Sequence, residues 1–102
     1  MLDFLTMKRR EFPIELYFND ILILKVIIDT HYEKKHSVSF DDKIILELVK
    51  QLNGKMIVPD AITKPYSYFK QVLMELNGKF YRLIWLLEEN QIYIGVVNAH
   101  RR

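Results

Sequence analysis

The chain ends in three basic side chains that could act on an anionic substrate. His100, Arg101 and Arg102 directly follow a hydrophobic segment. One imidazole and two guanidinium groups are therefore adjacent at the end of a predicted strand. Histidine exchanges protons near neutral pH, and arginine can hold a phosphate through two parallel hydrogen bonds. The plainer interpretation is a polar tail that keeps the last strand soluble.

A polar stretch in the middle of the chain holds the other two histidines. If this stretch forms a helical turn, His31 and Lys35 share one face. His31 and His36 do not have the i, i+4 spacing of a helical metal-binding pair, and no second histidine–carboxylate set accompanies them, so we expect no metal site. A solvated surface is their plainer interpretation. The absence of cysteine excludes disulfides, thiolate zinc sites and a cysteine nucleophile.

Composition limits the class of protein. The chain has 102 residues, of which 50% are hydrophobic, and this predicts a single domain over residues 1–102 with a loose lead-in at residues 1–10. The net charge is only +2, but the basic residues are clustered, which favours an anionic partner such as nucleic acid. The longest apolar run is interrupted by Lys25 and is much shorter than the roughly 20 residues of a spanning helix. We therefore expect a cytoplasmic protein without a membrane anchor or a signal peptide.

The first third of the chain predicts a β-hairpin. Apolar and polar side chains alternate over residues 12–18, which is typical of a strand with one buried face. Pro13 cannot donate a ladder hydrogen bond, so this strand should begin there or lie at an edge of the sheet. Asn19-Asp20 predicts a turn, and the β-branched run at residues 21–28 predicts the second strand.

One helix is predicted over residues 40–52. Ser39 and the acidic residues after it resemble a variant capping box, and Gly54 is suited to the left-handed position that ends a helix. The apolar residues that recur at helical spacing are Ile45, Leu48, Val49 and Leu52. Residues 55–65 have prolines and no periodicity, and we interpret them as an exposed loop.

The last third predicts three consecutive strands, at residues 66–76, 80–88 and 92–99. Asn77-Gly78 favours a tight type I′ turn between the first two strands, because both residues accept positive φ. The predicted fold class is therefore α+β: an antiparallel sheet, made of the N-terminal hairpin and this C-terminal three-stranded meander, packed on one main helix.

The turn at Asn77-Gly78 also predicts which side chains share a face. It places Met74 opposite Tyr81, Val72 opposite Leu83 and Lys70 opposite Trp85. The predicted core row is Val72, Met74, Leu83, Trp85, Leu87, Ile92, Ile94 and Val96. Continued alternation extends this row to His100 and Arg102 beside Tyr81, and turns Arg82 and Arg101 to the other face unless a bulge shifts the register.

These closing strands resemble the RelE/ParE-type toxin superfamily of bacterial toxin–antitoxin systems. In many members they read YRLIY followed by IYILGVGHRR, and the chain has FYRLIW at residues 80–85 and IYIGVVNAHRR at residues 92–102. The wider resemblance, a single helix before an antiparallel meander, covers residues 21–102. The N-terminal hairpin departs from the family, in which a pair of helices is found instead.

The resemblance implies a metal-independent endoribonuclease that transfers the scissile phosphate to the RNA 2′-hydroxyl. Such chemistry needs groups that exchange protons and positive charge on the phosphate. The implied catalytic residues are His100, Arg102, Tyr81, His31 and Lys35. The implied RNA-binding residues are Arg82, Arg101, His36 and Lys70.

The implied partners are a cognate antitoxin protein and RNA, including ribosome-associated RNA, and no cofactor is implied. The alternative is a non-catalytic interaction or regulatory module with a toxin-like fold, which would use an exposed sheet edge for strand addition. Such a module is plausible because a fold does not fix a function.

Overall fold

A computed structural model describes residues 9–29 and 42–102, and one sheet runs through this part of the chain. The sheet has six strands in the order β1-β2-β6-β5-β4-β3, and one helix packs on it. The strands are β1 (Arg9–Phe18), β2 (Ile21–Asp29), β3 (Ala61–Thr63), β4 (Tyr66–Leu76), β5 (Lys79–Glu88) and β6 (Tyr93–Arg101), and the helix is α1 (Asp42–Lys50). Neighbouring strands are antiparallel except β2 and β6, which are parallel.

The α+β class agrees with the sequence, but the sheet is larger than the predicted hairpin and meander. Parallel pairing of β2 with β6 joins the two parts into one sheet. A central strand must be apolar on both faces, which explains why β2 is a continuous run with Val26, Ile27 and Ile28 all buried. The predicted loop at residues 55–65 contains the short strand β3, so that interpretation was wrong for three residues.

The turns predicted at Asn77-Gly78 and Asn19-Asp20 are confirmed in position, and Asn77-Gly78 has the predicted positive φ at both residues. Asn77 and Gly78 have φ of 54° and 78°, and Asn19 and Asp20 have φ of 52° and 62°. Positive φ at both central residues matches the twist of the strands that each turn connects. The strand after each turn therefore begins where the sequence predicts it, to within one residue.

The helix α1 packs on one face of the sheet, which we call the helix face. All four residues of its predicted apolar side are buried in the core. Arg10 of β1 donates to Asp42 from Nε and from an Nη atom at 2.6 and 2.8 Å, and this bidentate pair fixes the beginning of the helix to the sheet. The predicted start at residues 40 and 41, with its cap at Ser39, lies outside the described residues. The helix ends at Lys50, and a turn follows it to Gly54, whose φ is 80°.

A register shift in β4 changes which of its residues face the core. Met74 lies opposite Tyr81 as predicted, but β4 has one extra residue between Gln71 and Met74. Such a bulge reverses the alternation of side chains. Trp85 is consequently opposite Phe69 and not Lys70, and Leu83 is opposite Gln71 and not Val72.

Two members of the predicted core row are exposed. Val72 lies in the β4 bulge, and its exposed fraction is 48%. Ile92 precedes β6, where the strand ladder has not begun, and its exposed fraction is also 48%. The other six are buried, so the row was correct except at the bulge and at the strand end.

A second register shift, in β6, decides the position of the C-terminal residues. Trp85 pairs with Val96 and Ile84 pairs with Asn98, so Val97 is the extra residue. Past this bulge Ala99 is buried and Arg101 lies opposite Tyr81. The prediction that His100 and Arg102 extend the core row beside Tyr81 was therefore wrong, because the bulge turns them to the other face.

Candidate anion-binding site on the sheet

One face of the sheet is turned away from α1, and we call it the opposite face. Its exposure differs between the part near β2 and the part formed by β4 and β5. Near β2 and β6 it is closed, since Ile27 and Tyr93 are buried. Across β4 and β5 it is accessible: Lys70 is exposed, and Arg82 and Ile84 are half-buried. A ligand can therefore reach this face along β4 and β5 and at the end of β6.

Arg82 of β5 lies directly opposite His100 of β6 on this face. Opposite residues in an antiparallel pair have Cβ atoms about 4.5–5.5 Å apart, so the guanidinium and the imidazole can reach one common ligand. Both side chains are half-buried, and the Nε atom of Arg82 is buried with no hydrogen-bond partner among the described residues. An unpaired buried N–H costs free energy, so the described residues leave this donor of the guanidinium unsatisfied.

Lys70 and Asn98 complete the group. Both lie opposite Ile84, Lys70 on β4 and Asn98 on β6, so they flank that residue in the row next to Arg82 and His100. Diagonal neighbours on a sheet are about 7–8 Å apart, within reach of long side chains. Within the described part of the chain, the Oδ1 atom of Asn98 is also buried without a hydrogen-bond partner. We call Lys70, Arg82, Asn98 and His100 the Arg82–His100 cluster.

The remaining predicted site residues are divided between the two faces. Tyr81 is buried on the helix face, and Arg101 is paired with it there. Arg102 continues the ladder by donating its backbone N–H to the Phe80 carbonyl at 2.8 Å, and alternation places it on the same face as His100. The predictions for His31, Lys35 and His36 concern residues outside the described part of the chain.

Asn98 was not among the predicted site residues. Its signal in the sequence was modest: it is the one polar side chain between Tyr93 and Ala99, two positions before His100. Only the register of β5 and β6 places it beside Lys70 and Arg82 instead of among core residues.

A second polar contact lies at the other end of β5. Tyr93 donates from its hydroxyl to Glu88 Oε1 at 2.6 Å. Burial raises the pKa of Tyr93 above its ordinary value, and the hydrogen bond and the charge of Glu88 raise it further, while Arg9 lowers it. Tyr93 therefore remains protonated at neutral pH and does not act as a base. Glu88 is six positions along β5 from Arg82, roughly 20 Å at the rise of a strand, so the two polar groups are distinct.

An open cleft of about 340 Å³ lies beside Glu88, between the β3–β4 turn and the β5–β6 turn. Its walls include Lys64, Tyr66, Leu87 and Asn90. The cleft is at the same end of the sheet as Tyr93 and is remote from His100. A cleft large enough for a small chemical group therefore lies where β4 begins and β5 ends, away from the Arg82–His100 cluster.

Neither metal-binding groups in the described residues nor similarity to other proteins identifies a function. Among residues 9–29 and 42–102, no group of three or more histidine, cysteine, aspartate or glutamate side chains could hold a metal ion. In that same part of the chain, no helix is long and apolar enough to cross a membrane. Searches of protein-family models, of curated proteins and of solved structures found no match to this chain.

The cluster brings together the elements of phosphate chemistry. Arg82 and Lys70 can supply positive charge, and an arginine fork matches two phosphate oxygens. His100, the histidine among the described residues, can accept or donate a proton at the same ligand. Asn98 can accept a hydrogen bond from a hydroxyl beside the phosphate.

Proposed function

We propose that this chain is a metal-independent endoribonuclease of the bacterial toxin type, and that the Arg82–His100 cluster holds the scissile phosphate. The observation that carries the proposal is the direct pairing of Arg82 with His100, with the buried Arg82 Nε lacking a partner. The resemblance of residues 80–85 and 92–102 to the closing strands of such toxins gives independent support. RNA and a cognate antitoxin are its proposed partners.

The proposed reaction is an internal transfer. The RNA 2′-hydroxyl loses its proton and its oxygen attacks the adjacent phosphorus, the bond from phosphorus to the 5′-oxygen breaks, and that oxygen takes up a proton. The products are a 2′,3′-cyclic phosphate and a 5′-hydroxyl. Arg82 and Lys70 stabilise the charge that develops on the phosphate oxygens, and His100 exchanges a proton with the reacting oxygens.

We expect the purified protein to cleave single-stranded RNA in the presence of a chelator and to leave 2′,3′-cyclic phosphate ends. Metal-independent cleavage follows because the cluster offers positive charge and an imidazole without needing an ion. The measurement is gel analysis of an end-labelled RNA, with the ends identified by mass spectrometry. Expression in bacteria should arrest growth, and co-expression of the product of a neighbouring small gene should restore it. Intact RNA together with normal growth would exclude the proposal.

A second candidate function is favoured by the edge of β4. The short strand β3 pairs only with Tyr66–Tyr68, while β4 continues to Leu76. Beyond β3, the Lys70 N–H donates to Asp60 and the Glu75 carbonyl accepts from Gln51. Between these two contacts Val72 and Leu73 are exposed, and no described strand pairs with this outer side. An exposed apolar edge is suited to strand addition by a partner protein. In this case expression would be harmless and RNA would stay intact, so the same two assays separate the candidates.

A further inference from the structure

A row of aromatic and basic side chains follows β4 and β5 across the accessible part of the opposite face. Tyr66, Tyr68 and Lys70 alternate along β4 and so point to the same side. They lie opposite Glu88, Leu86 and Ile84 of β5. We call the group the tyrosine strip; it consists of Tyr66, Tyr68 and Lys70 on β4 and Arg82, Ile84 and Leu86 on β5.

The tyrosines of the strip form a tilted pair. Their ring centroids are 6.3 Å apart at an interplanar angle of 53°, and both residues are half-buried. A packed core aromatic would be fully buried, as Phe69 is on the other face of the same strand. Part of each ring of Tyr66 and Tyr68 therefore remains available to a ligand.

The strip is continuous with the Arg82–His100 cluster. Tyr68 lies opposite Leu86, which is four residues from Arg82, so the backbone positions of Tyr68 and Arg82 are about 13 Å apart along the strands. Lys70 lies between them, one alternation from Tyr68 and diagonal to Arg82. Cationic side chains next to exposed aromatic rings are the combination that binds a single-stranded nucleic acid, because its phosphates meet the cations while its bases, which project from the backbone, stack on the rings.

The strip is cationic at one end. Lys70 and Arg82 are cations, whereas Glu88, opposite Tyr66, is a carboxylate that accepts the hydroxyl of Tyr93, so the phosphates of a bound strand belong at the Lys70 and Arg82 end. A base-paired duplex hides its bases inside the helix and cannot stack them on a sheet, whereas a single strand can.

We infer that the tyrosine strip binds the nucleotides next to the scissile phosphate, with a base stacked on Tyr68 and the following base on Tyr66. The inference rests on the proposed function because it takes the phosphate site from it. It assigns to Tyr68 and Tyr66 the role of stacking the unpaired bases of that RNA. The half-buried apolar side chains of Ile84 and Leu86 form the floor between the two ends.

The test is the binding of a fluorescent single-stranded 2′-O-methyl RNA, which cannot be cleaved because its 2′-oxygen is blocked. We expect Tyr68→Leu to weaken binding about tenfold, since one stacked base is lost. Tyr68→Phe keeps the ring and should bind as the wild type does. Tyr17→Leu is the matched control, because Tyr17 is an exposed tyrosine of β1 outside the strip. A duplex of the same sequence should bind more weakly than the single strand.

A second readout reports stacking directly. A 2-aminopurine base placed next to the scissile position should lose fluorescence on binding the wild type and regain it with Tyr68→Leu. Unchanged binding by Tyr68→Leu, or equal binding of duplex and single strand, would overturn the inference. RNA that is bound through Tyr68 but never cleaved would overturn the proposed function and leave only the binding of unpaired RNA by the tyrosine strip. Cleaved RNA with binding indifferent to Tyr68 and Tyr66 would overturn the inference alone.

Discussion

Replacing Trp85 with alanine should lower the free energy of unfolding by about 3–5 kcal/mol, a large part of the stability of a small domain. Trp85 is fully buried at the centre of the core. Its ring is stacked on Phe69 with centroids 5.5 Å apart and meets the edge of Phe18 at 5.7 Å. Truncation removes both contacts and leaves a cavity between β5, β4 and β1. The measurement is urea unfolding of the wild type and the variant. The two are compared with the same dependence of the free energy of unfolding on urea concentration.

Trp85→Phe is the matched control. The Nε1 atom of Trp85 is buried with no hydrogen-bond partner, which already costs the wild type free energy. Phenylalanine keeps a stacked ring and removes this unpaired N–H. Trp85→Phe should therefore lower the free energy of unfolding by much less than Trp85→Ala does. If both variants were equally destabilised, the aromatic contacts would not be the source of the stability.

Replacing His100 with alanine should lower the rate of RNA cleavage by about 10²–10⁴-fold, the usual contribution of a positioned acid–base group. Arg82→Ala should also reduce the rate, and Arg82→Lys should restore it only in part, because lysine keeps the charge but loses the two-pronged contact. The measurement is single-turnover cleavage of a labelled RNA with protein in excess. Thermal unfolding of each variant is the control that separates a lost reactive group from a destabilised fold.

Arg101→Ala is the control that tests the register. Arg101 has the same charge as Arg82 and is adjacent to His100, but it is exposed on the helix face opposite Tyr81. We expect little change in the cleavage rate. If Arg101→Ala lowered the cleavage rate as much as Arg82→Ala does, the site would not depend on the register that the bulge at Val97 sets.

Local signals in the sequence were sufficient for most of the secondary structure. Strand β4 has its predicted bounds because a two-residue turn with positive φ fixes where it ends. Pro13 correctly predicted an edge, since β1 is the outermost strand on its side. The apolar spacing of α1 predicted its buried side, because a helix on a sheet needs one apolar stripe.

Features that depend on distant pairing were missed. The parallel contact of β2 with β6 joins residues far apart in the chain, and β3 has only three exposed residues with no core to give it a pattern. Strand β1 begins at Arg9, inside the predicted lead-in, because its first residues pair with the end of β2.

The candidate site was predicted in composition but not in arrangement. His100, Arg82 and Lys70 were named from their types and from the family pattern, whereas alternation alone put Arg82 and His100 on different faces. A bulge at Val97 has no glycine or proline to mark it, so the sequence offers no local sign of the extra residue. One such residue reverses every side chain after it, and this is why Tyr81 and Arg101 are separated from the cluster.

The most direct test of the account is whether the Arg82–His100 cluster binds a phosphate of single-stranded RNA. The measurement is a ¹H–¹⁵N NMR titration with a short 2′-O-methyl RNA, following the Nε–H signal of Arg82 and the ring signals of His100, each assigned by its alanine variant. Because the buried Arg82 Nε has no partner in the structure, we predict a large saturable shift of its signal, together with a shift of the His100 ring. RNA binding that moves other signals and leaves both of these unchanged would contradict the account.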